Sequence, residues 1–192
     1  MLITDEALLA GLNDDTKAML RSNAEKKGLE GWLLNLKPTT TIPVMQDLDN
    51  RDIRRELYMA YNTRCVGGEF DNTGIIVEIV NTRLALAKLF GKKTYAEKSL
   101  HKTMAEKPEN VYRLLDQLRD AYMPAARREV QELQDYATAH GLYTTLQPWD
   151  FSYYSKKLKQ EKYAISDDDL RPLTRRYSTC STRRSSCPVS AA

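Results

Sequence analysis

Residues 108–141, PENVYRLLDQLRDAYMPAARREVQELQDYATAHG, decide the fold class. Val111, Leu114, Leu115, Leu118 and Tyr122 recur at intervals of three and four, which places them on one face of an α-helix. Val130, Leu133, Tyr136 and Ala137 resume the stripe. Pro108 suits a first turn, where its missing N–H costs nothing, and Gly141 follows as a terminator. Pro124 interrupts the stretch. It removes one backbone donor and crowds the preceding turn, so the sequence predicts a kink or a split there.

Working outward, the same period recurs almost throughout. Asp71 or Asn72 opens a helix with Ile75, Ile79, Val80, Leu84 and Ala87 together and Gly91 closing it. Thr94 and Glu97 have capping-box spacing for a helix to about Ala105. Asp49 or Asn50 begins another, with Ile53, Leu57, Ala60 and Tyr61 on one face. Asn13 caps a helix to Lys27, ended by Gly28, and Thr4 caps a short one through Leu8, Leu9 and Leu12. Beyond Leu142–Gln147, Asp150 is expected to cap a helix with Phe151, Tyr154 and Leu158, and Ser166 with Asp169 offers a last capping box.

Residues 31–46, GWLLNLKPTTTIPVMQ, break the pattern. Alternating Trp32, Leu34 and Leu36, the β-branched Thr39–Ile42, and Pro38 and Pro43 predict one or two short strands or extended segments. The fold class is therefore all-α, mainly helical, with one or two short strands near 31–46. The composition changes at about residue 173. Residues 173–192 are rich in Arg, Ser, Thr and Cys, have no face to bury, and are expected to be a disordered tail after a helical segment 1–172.

The chain has 192 residues, 42% hydrophobic and 29% charged, an ordinary globular composition. Its net charge of +3 owes much to Arg175, Arg176, Arg183 and Arg184 in the tail. Without them the balance is near neutral, so nucleic acid is not an expected partner. No apolar run approaches the roughly 20 residues that span a bilayer, and MLITDEALLAGL lacks the basic start of a signal peptide. No membrane partner is expected, and the expected location is cytoplasmic. Cys65, Cys180 and Cys187 form neither a disulfide framework nor a zinc-ribbon spacing.

Catalytic motifs were sought by their chemistry. In His-Glu-x-x-His, one helical turn aligns two imidazoles on a zinc ion while the Glu activates its water. The only histidines are His101, followed by Lys102, and His140, followed by Gly141, so neither starts that motif. No Gly-x-Ser-x-Gly, Gly-x-Gly-x-x-Gly or Walker pattern occurs, and Gly67-Gly68 reads as a helix-to-helix turn. Asp167-Asp168-Asp169 lacks the spacing and closing Glu of an EF-hand and suits a helix N-terminus. Tyr153-Tyr154 with Lys156 and Lys157 resembles a strand-stacking platform for nucleic acid, but reads better as an aromatic core face with a basic flank. The sequence therefore assigns no catalytic, cofactor-binding or metal-binding residue.

Several strings, taken in order, are nonetheless distinctive. They are Leu9-Ala10-Gly11-Leu12; Gly31-Trp32-Leu33-Leu34; Asn50-Arg51 with Arg54, Leu57, Tyr58 and Ala60; and Thr63-Arg64. Asp71-Asn72, Ile75 to Ile79, Arg83, Ala87, Leu89, Gly91 and Tyr95-Ala96 follow. Met104-Ala105, Val111, Pro124-Ala125, Glu129, Leu133, Pro148-Trp149-Asp150, Tyr153-Tyr154 and Leu170-Arg171-Pro172 complete the set. Over residues 5–172 this order resembles the region before the zinc site in the thimet oligopeptidase family, most closely the bacterial peptidyl-dipeptidases (dipeptidyl carboxypeptidases).

The resemblance implies a portion of a two-lobed, largely helical zinc metallopeptidase that hydrolyses short peptides, the peptidyl-dipeptidases releasing C-terminal dipeptides. The family's zinc ligands, catalytic Glu and carbonyl-stabilising Tyr and His lie downstream of the matching region. Zinc is thus expected in the intact family member and not on this chain, which is expected to be inactive alone. The expected partners are short peptides for the intact enzyme and its remaining lobes as packing neighbours. The parent's compartment stays open, the periplasm included. Leu173 stands where the family has Tyr-Phe-Pro after Leu-Arg-Pro, which suggests a frameshift near codons 172–174. The alternative is a non-enzymatic helical module that binds a protein or peptide.

Overall fold

The computed structural model describes residues 1–164. Its organising helix is α3 (Arg51–Asn62), which starts where the Asn50 side chain accepts hydrogen bonds from the Asp52 and Ile53 amides at 3.1 and 3.2 Å. Ile53 and Leu57 point into a core shared with Ile3, Leu9, Leu12, Leu20, Leu34, Val44 and Leu48. Around it stand a 3₁₀ turn (Glu6–Leu9), α1 (Asp14–Glu25) and α2 (Pro38–Asp47). The Asn13 side chain caps α1 by accepting from the Thr16 amide at 2.9 Å, as its sequence predicts. The 3₁₀ turn is capped one residue later than expected, by Asp5 and not Thr4, because the Asp5 carboxylate reaches the Ala7 amide at 2.9 Å.

The expected strand content is present but placed differently. β1 (Leu2–Ile3) pairs antiparallel with β2 (Trp32–Leu33), Ile3 opposite Trp32. Residues 38–47, expected to be extended, are helical. Pro38 sits at the first helical position, where its fixed φ helps, and the buried Thr40, Thr41 and Val44 recur at helical spacing. The Thr41 hydroxyl donates back to the Lys37 carbonyl at 3.2 Å. Burial of one face overrides the weak strand preference of the β-branched residues.

Beyond α3 the chain passes through Gly67 and Gly68, both at positive φ, into α4 (Thr73–Leu89), α5 (Tyr95–Leu100) and α6 (Pro108–Ala139). α5 stops short of Ala105 because the Thr103 amide and hydroxyl both donate to the Leu100 carbonyl at 2.9 Å. α6 is one helix across Pro124, which excludes the split of the two expected alternatives, a kink or a split. Pro124 and Asp120 are both exposed, so water can satisfy the carbonyl that the missing donor leaves free. α7 (Pro148–Tyr163) packs on α6, α2 and α3, with Leu133, Ala137, Leu142, Tyr153 and Tyr154 forming a second apolar cluster.

The apolar stripes of α4 and the first half of α6 are not covered: Ile75, Ile79, Val80, Leu84, Leu114, Leu115, Leu118 and Tyr122 are exposed. Only Ala87 of the α4 set is buried. α4 packs chiefly on short α5, and α6 on α5 and α7, so no described element lies over these faces. The last capping box, the Asp167–Asp169 run, Cys180, Cys187 and the tail 173–192 lie outside the described residues.

Candidate functional site

The most strongly built polar constellation joins α3 to the start of α7. Arg54 is only 1% exposed although charged, and it lies between Ile53 and Leu57 on the apolar side of α3. Its guanidinium donates to the Leu48 carbonyl at 2.7 Å, the Asp49 carbonyl at 3.0 Å, the Trp149 carbonyl at 3.2 Å and Asp150 Oδ1 at 3.1 Å. Arg51, one turn earlier, grips the same carboxylate, Nε at 3.0 Å from Oδ1 and Nη2 at 2.8 Å from Oδ2. Asp150 also accepts the Gln147 amide at 3.2 Å, which puts it at the third helical position and not at the cap. Pro148 takes the first helical position and shifts the cap back to Gln147.

Electrostatics follow from this geometry. Burial alone would raise the Asp150 carboxyl, but the Arg51 hydrogen bonds, the Gln147 amide and Arg54 outweigh it and hold it below the usual carboxylate range. Arg51 is correspondingly raised, mainly by its bond to Asp150. Beside this pair, Tyr153 donates to Asp49 Oδ1 at 2.6 Å, and Lys157 donates to both Asp49 and the Tyr153 oxygen. The Tyr153 bond is the largest influence lowering Asp49, while burial followed by that same bond raises Tyr153. Burial opposes the charge on Lys157, yet its bonds to Tyr153 and Asp49 raise it. Arg54 lies 4.1 Å over the Tyr153 ring, and Lys156 pairs with Asp47 at 2.6 Å.

Every group in this network is engaged by its neighbours, although Asp49, Lys157 and Arg51 remain partly exposed. It fastens the α2–α3 junction to α7. Next to it runs an apolar groove of about 310 Å³ between α2, α3 and α7, lined by Ile42, Met45, Leu57, Tyr58, Tyr61 and Pro148 among others. Trp149 stands against Tyr58, its indole N–H buried without a partner among the described residues.

The residues weighed from sequence are scattered. Cys65 is exposed at φ +59° just after α3. His101 follows α5, and His140 ends α6, its Nδ1 2.8 Å from the Tyr136 carbonyl and its ring 4.1 Å from that of Tyr136. Tyr153 and Tyr154 are buried, with Lys156 and Lys157 paired to aspartates, which is the core-face reading. Among the described residues no three His, Cys, Asp or Glu side chains come together in a way that could hold a metal ion. Sequence reasoning missed the Arg51–Arg54–Asp150 network. Its signal was present: an arginine flanked by Ile53 and Leu57 on a buried helical stripe needs a counter-charge.

Comparison with known proteins gives this scaffold its class. Residues 44–181 match Peptidase family M3, and the chain belongs to that family. Among its relatives, oligopeptidase A of Escherichia coli K12 is 43% identical over 176 residues, and oligopeptidase A of Haemophilus influenzae is 42% identical over the same length. Dipeptidyl carboxypeptidase of Salmonella typhimurium is 32% identical over 177 residues. These alignments take in 89–90% of this chain but only 26% of each relative. The dipeptidyl carboxypeptidases that the resemblance put nearest are among these relatives, but the oligopeptidases A share more identities with this chain. Among the described residues no helix is long and apolar enough to cross a membrane.

Proposed function

We propose that this chain supplies part of the helical scaffold of an M3 peptidase that, when intact, hydrolyses short peptides in the manner of an oligopeptidase or peptidyl-dipeptidase. The observation that carries the reading is the family match over residues 44–181, read with the chain's span of about a quarter of its relatives' length. The zinc of the intact enzyme would be held by residues that this sequence does not contain, since it has no His-Glu-x-x-His. The chain's own contribution is positional: the Arg51–Arg54–Asp150 network fixes α7 against α3, and the adjoining groove offers an apolar wall. We place the protein in the cytoplasm, with short peptides as the substrates of the intact enzyme and neither nucleic acid nor membrane as a partner.

Purified chain supplied with zinc is expected to leave a short blocked peptide uncleaved. Cleavage that a chelator abolishes would overturn the proposed inactivity. A second reading, a non-enzymatic helical module, draws on the exposed apolar residues of α4 and α6. It predicts saturable binding of a helical peptide by the free chain as a monomer, without zinc.

A further inference from the structure

α3 carries its charges unevenly around the apolar groove. It meets the groove at Leu57, Tyr58, Tyr61 and Asn62. At about 100° per residue, Arg51, Arg54 and Arg55 lie within about 90° of the centre of that face, while Asp52 and Glu56, the two acids of α3, lie on the far side. Arg51 and Arg54 share the single carboxylate of Asp150, so the network beside the groove keeps a net positive charge. Arg55 is exposed, its Cζ 5.7 Å from the Trp149 ring centroid, and has no ion-pair partner among the described residues. Asp47 and Asp49, at the same corner, are neutralised by Lys156 and Lys157. The dipole of α3 adds a direction: an anion is favoured at the Arg51–Arg55 end and disfavoured beyond Asn62, where the last carbonyls point out and Arg64 already donates to that of Tyr61 at 2.8 Å.

The walls say what should accompany that anion. No charged side chain lines the groove, and Ile42, Met45, Tyr58 and Tyr61 give it an apolar surface, with Ile42 54% exposed. Its 310 Å³ lies at the low end of the roughly 300–1,000 Å³ of ligand sites, room for an apolar side chain or two. Each of the three helices also brings a polar atom without a protein partner among the described residues: the Gln46 amide from α2, the Asn62 side-chain oxygen from α3 and the Ser152 hydroxyl from α7. Such atoms can satisfy the backbone N–H and C=O groups of an extended peptide, which a helical peptide has already closed on itself.

We propose that the groove between α2, α3 and α7 docks an extended acidic peptide, with an apolar side chain against Met45, Tyr58 and Tyr61 and a carboxylate beside Arg55. The charge placement around α3 selects an acidic partner, and the unpaired polar atoms on three helices select an extended one. The site goes beyond the scaffold reading: it uses no residue of α4 to α6 and requires no metal.

The test titrates the full 192-residue chain, without added metal, into a fluorescein-labelled peptide Gly-Glu-Asp-Leu-Pro-Tyr-Gly-amide, whose proline bars a helix, and reads anisotropy. Saturable one-to-one binding to the monomer is expected, weakened at least about 3-fold when Gln-Asn replaces Glu-Asp in the peptide. Arg55→Gln should weaken binding of the acidic peptide about 2–5-fold and narrow its advantage over the neutral one. Ile42→Gln should weaken both peptides at least about 3-fold. Both residues are exposed, so the urea midpoints of these variants should match the parent, which separates loss of docking from loss of fold. No saturation by about 1 mM, equal affinity for the two peptides, binding that Ile42→Gln leaves unchanged, or a homodimer that shuts the probe out would each overturn the proposal. Cleavage is not read in this experiment, so its failure leaves the peptidase reading where the zinc assay puts it.

Discussion

Replacing Asp150 with Asn keeps the shape of the side chain and removes its charge. The Asp150 side chain is fully buried and accepts from Arg51, Arg54 and the Gln147 amide. Asparagine would offer one amide group where guanidinium donors already point, and Arg54 would be left as a buried cation without a counter-charge. Breaking a buried pair from one side costs about 3–5 kcal/mol. Arg51 is 37% exposed and can turn to water, so its share is discounted to about 1 kcal/mol or less, and Arg54 carries the rest. With a urea dependence of about 2 kcal/mol/M, the midpoint should fall by about 2 M. Trp149 adjoins the network and reports its loss by fluorescence, and Trp32→Phe removes the only other indole. Arg51→Gln should shift the midpoint by no more than about 0.5 M on the same arithmetic. A cost below about 0.5 kcal/mol for Asp150→Asn, or an equal cost for Arg51→Gln, would show that Arg54 does not depend on this counter-charge. Replacing Arg54 by Met together with Asp150 by Leu should not restore stability, because the Leu48, Asp49 and Trp149 carbonyls would lose their donors, at about 1–3 kcal/mol for each one left unsatisfied.

Two further outcomes follow from local geometry and charge. Gly31 lies at φ +110°, and an added Cβ would fall 2.4 Å from the Ile3 carbonyl oxygen, so Gly31→Ala should cost at least about 1–3 kcal/mol by thermal or urea unfolding. Gly28, at φ +67° with nothing within 4 Å, should lose only about 1 kcal/mol on the same change, and equal losses would refute the steric account. Asp150 and Asp49 are both held below their ordinary carboxyl values, so the stability they contribute is present above the unfolded value of about 3.9 and is lost as pH falls through the lower folded values. Tyr153 and Lys157 are raised, so their contribution is complete below about pH 10 and disappears as pH rises through the folded values. Urea midpoints across pH should therefore be flattest near neutrality, and Asp150→Asn should reduce the acid limb.

The parts of the fold legible in the sequence were those that local rules determine. Asn13 and Asn50 cap α1 and α3 because short polar side chains reach free amides, and α6 is visible in its three-and-four spacing. Residues 38–47 were misread because Thr39–Ile42 favour a strand locally, while the decisive factor, Thr40 and Val44 packing into the core, depends on residues distant in sequence. Asp150 was read as a cap for a similar reason. Nothing near it in the chain announces that Arg51 and Arg54 are its partners. The α4 stripe was legible as apolar, but its exposure depends on what lies beside it in space. The family was legible because an ordered set of short strings carries more information than any one of them.

The Arg54 contacts also bear on how the chain folds. The bonds from Arg51 and Arg54 to Asp150 join residues 99 and 96 positions apart, so the cluster cannot close until the whole α4–α6 arm has been synthesised and turned back. Helices α1 to α6 can form from local contacts, but Arg54 must wait for α7 for its counter-charge, and during translation it is a cation on an apolar helix face held only by the Leu48 and Asp49 carbonyls. Loop-closure entropy rises only slowly with length, by about 0.6 kcal/mol per doubling. An insertion between α4 and α6 should therefore delay closure of the cluster only slightly, whereas losing α7 removes it altogether. The arm is tolerant of changes in length, and the helix that closes it is not dispensable.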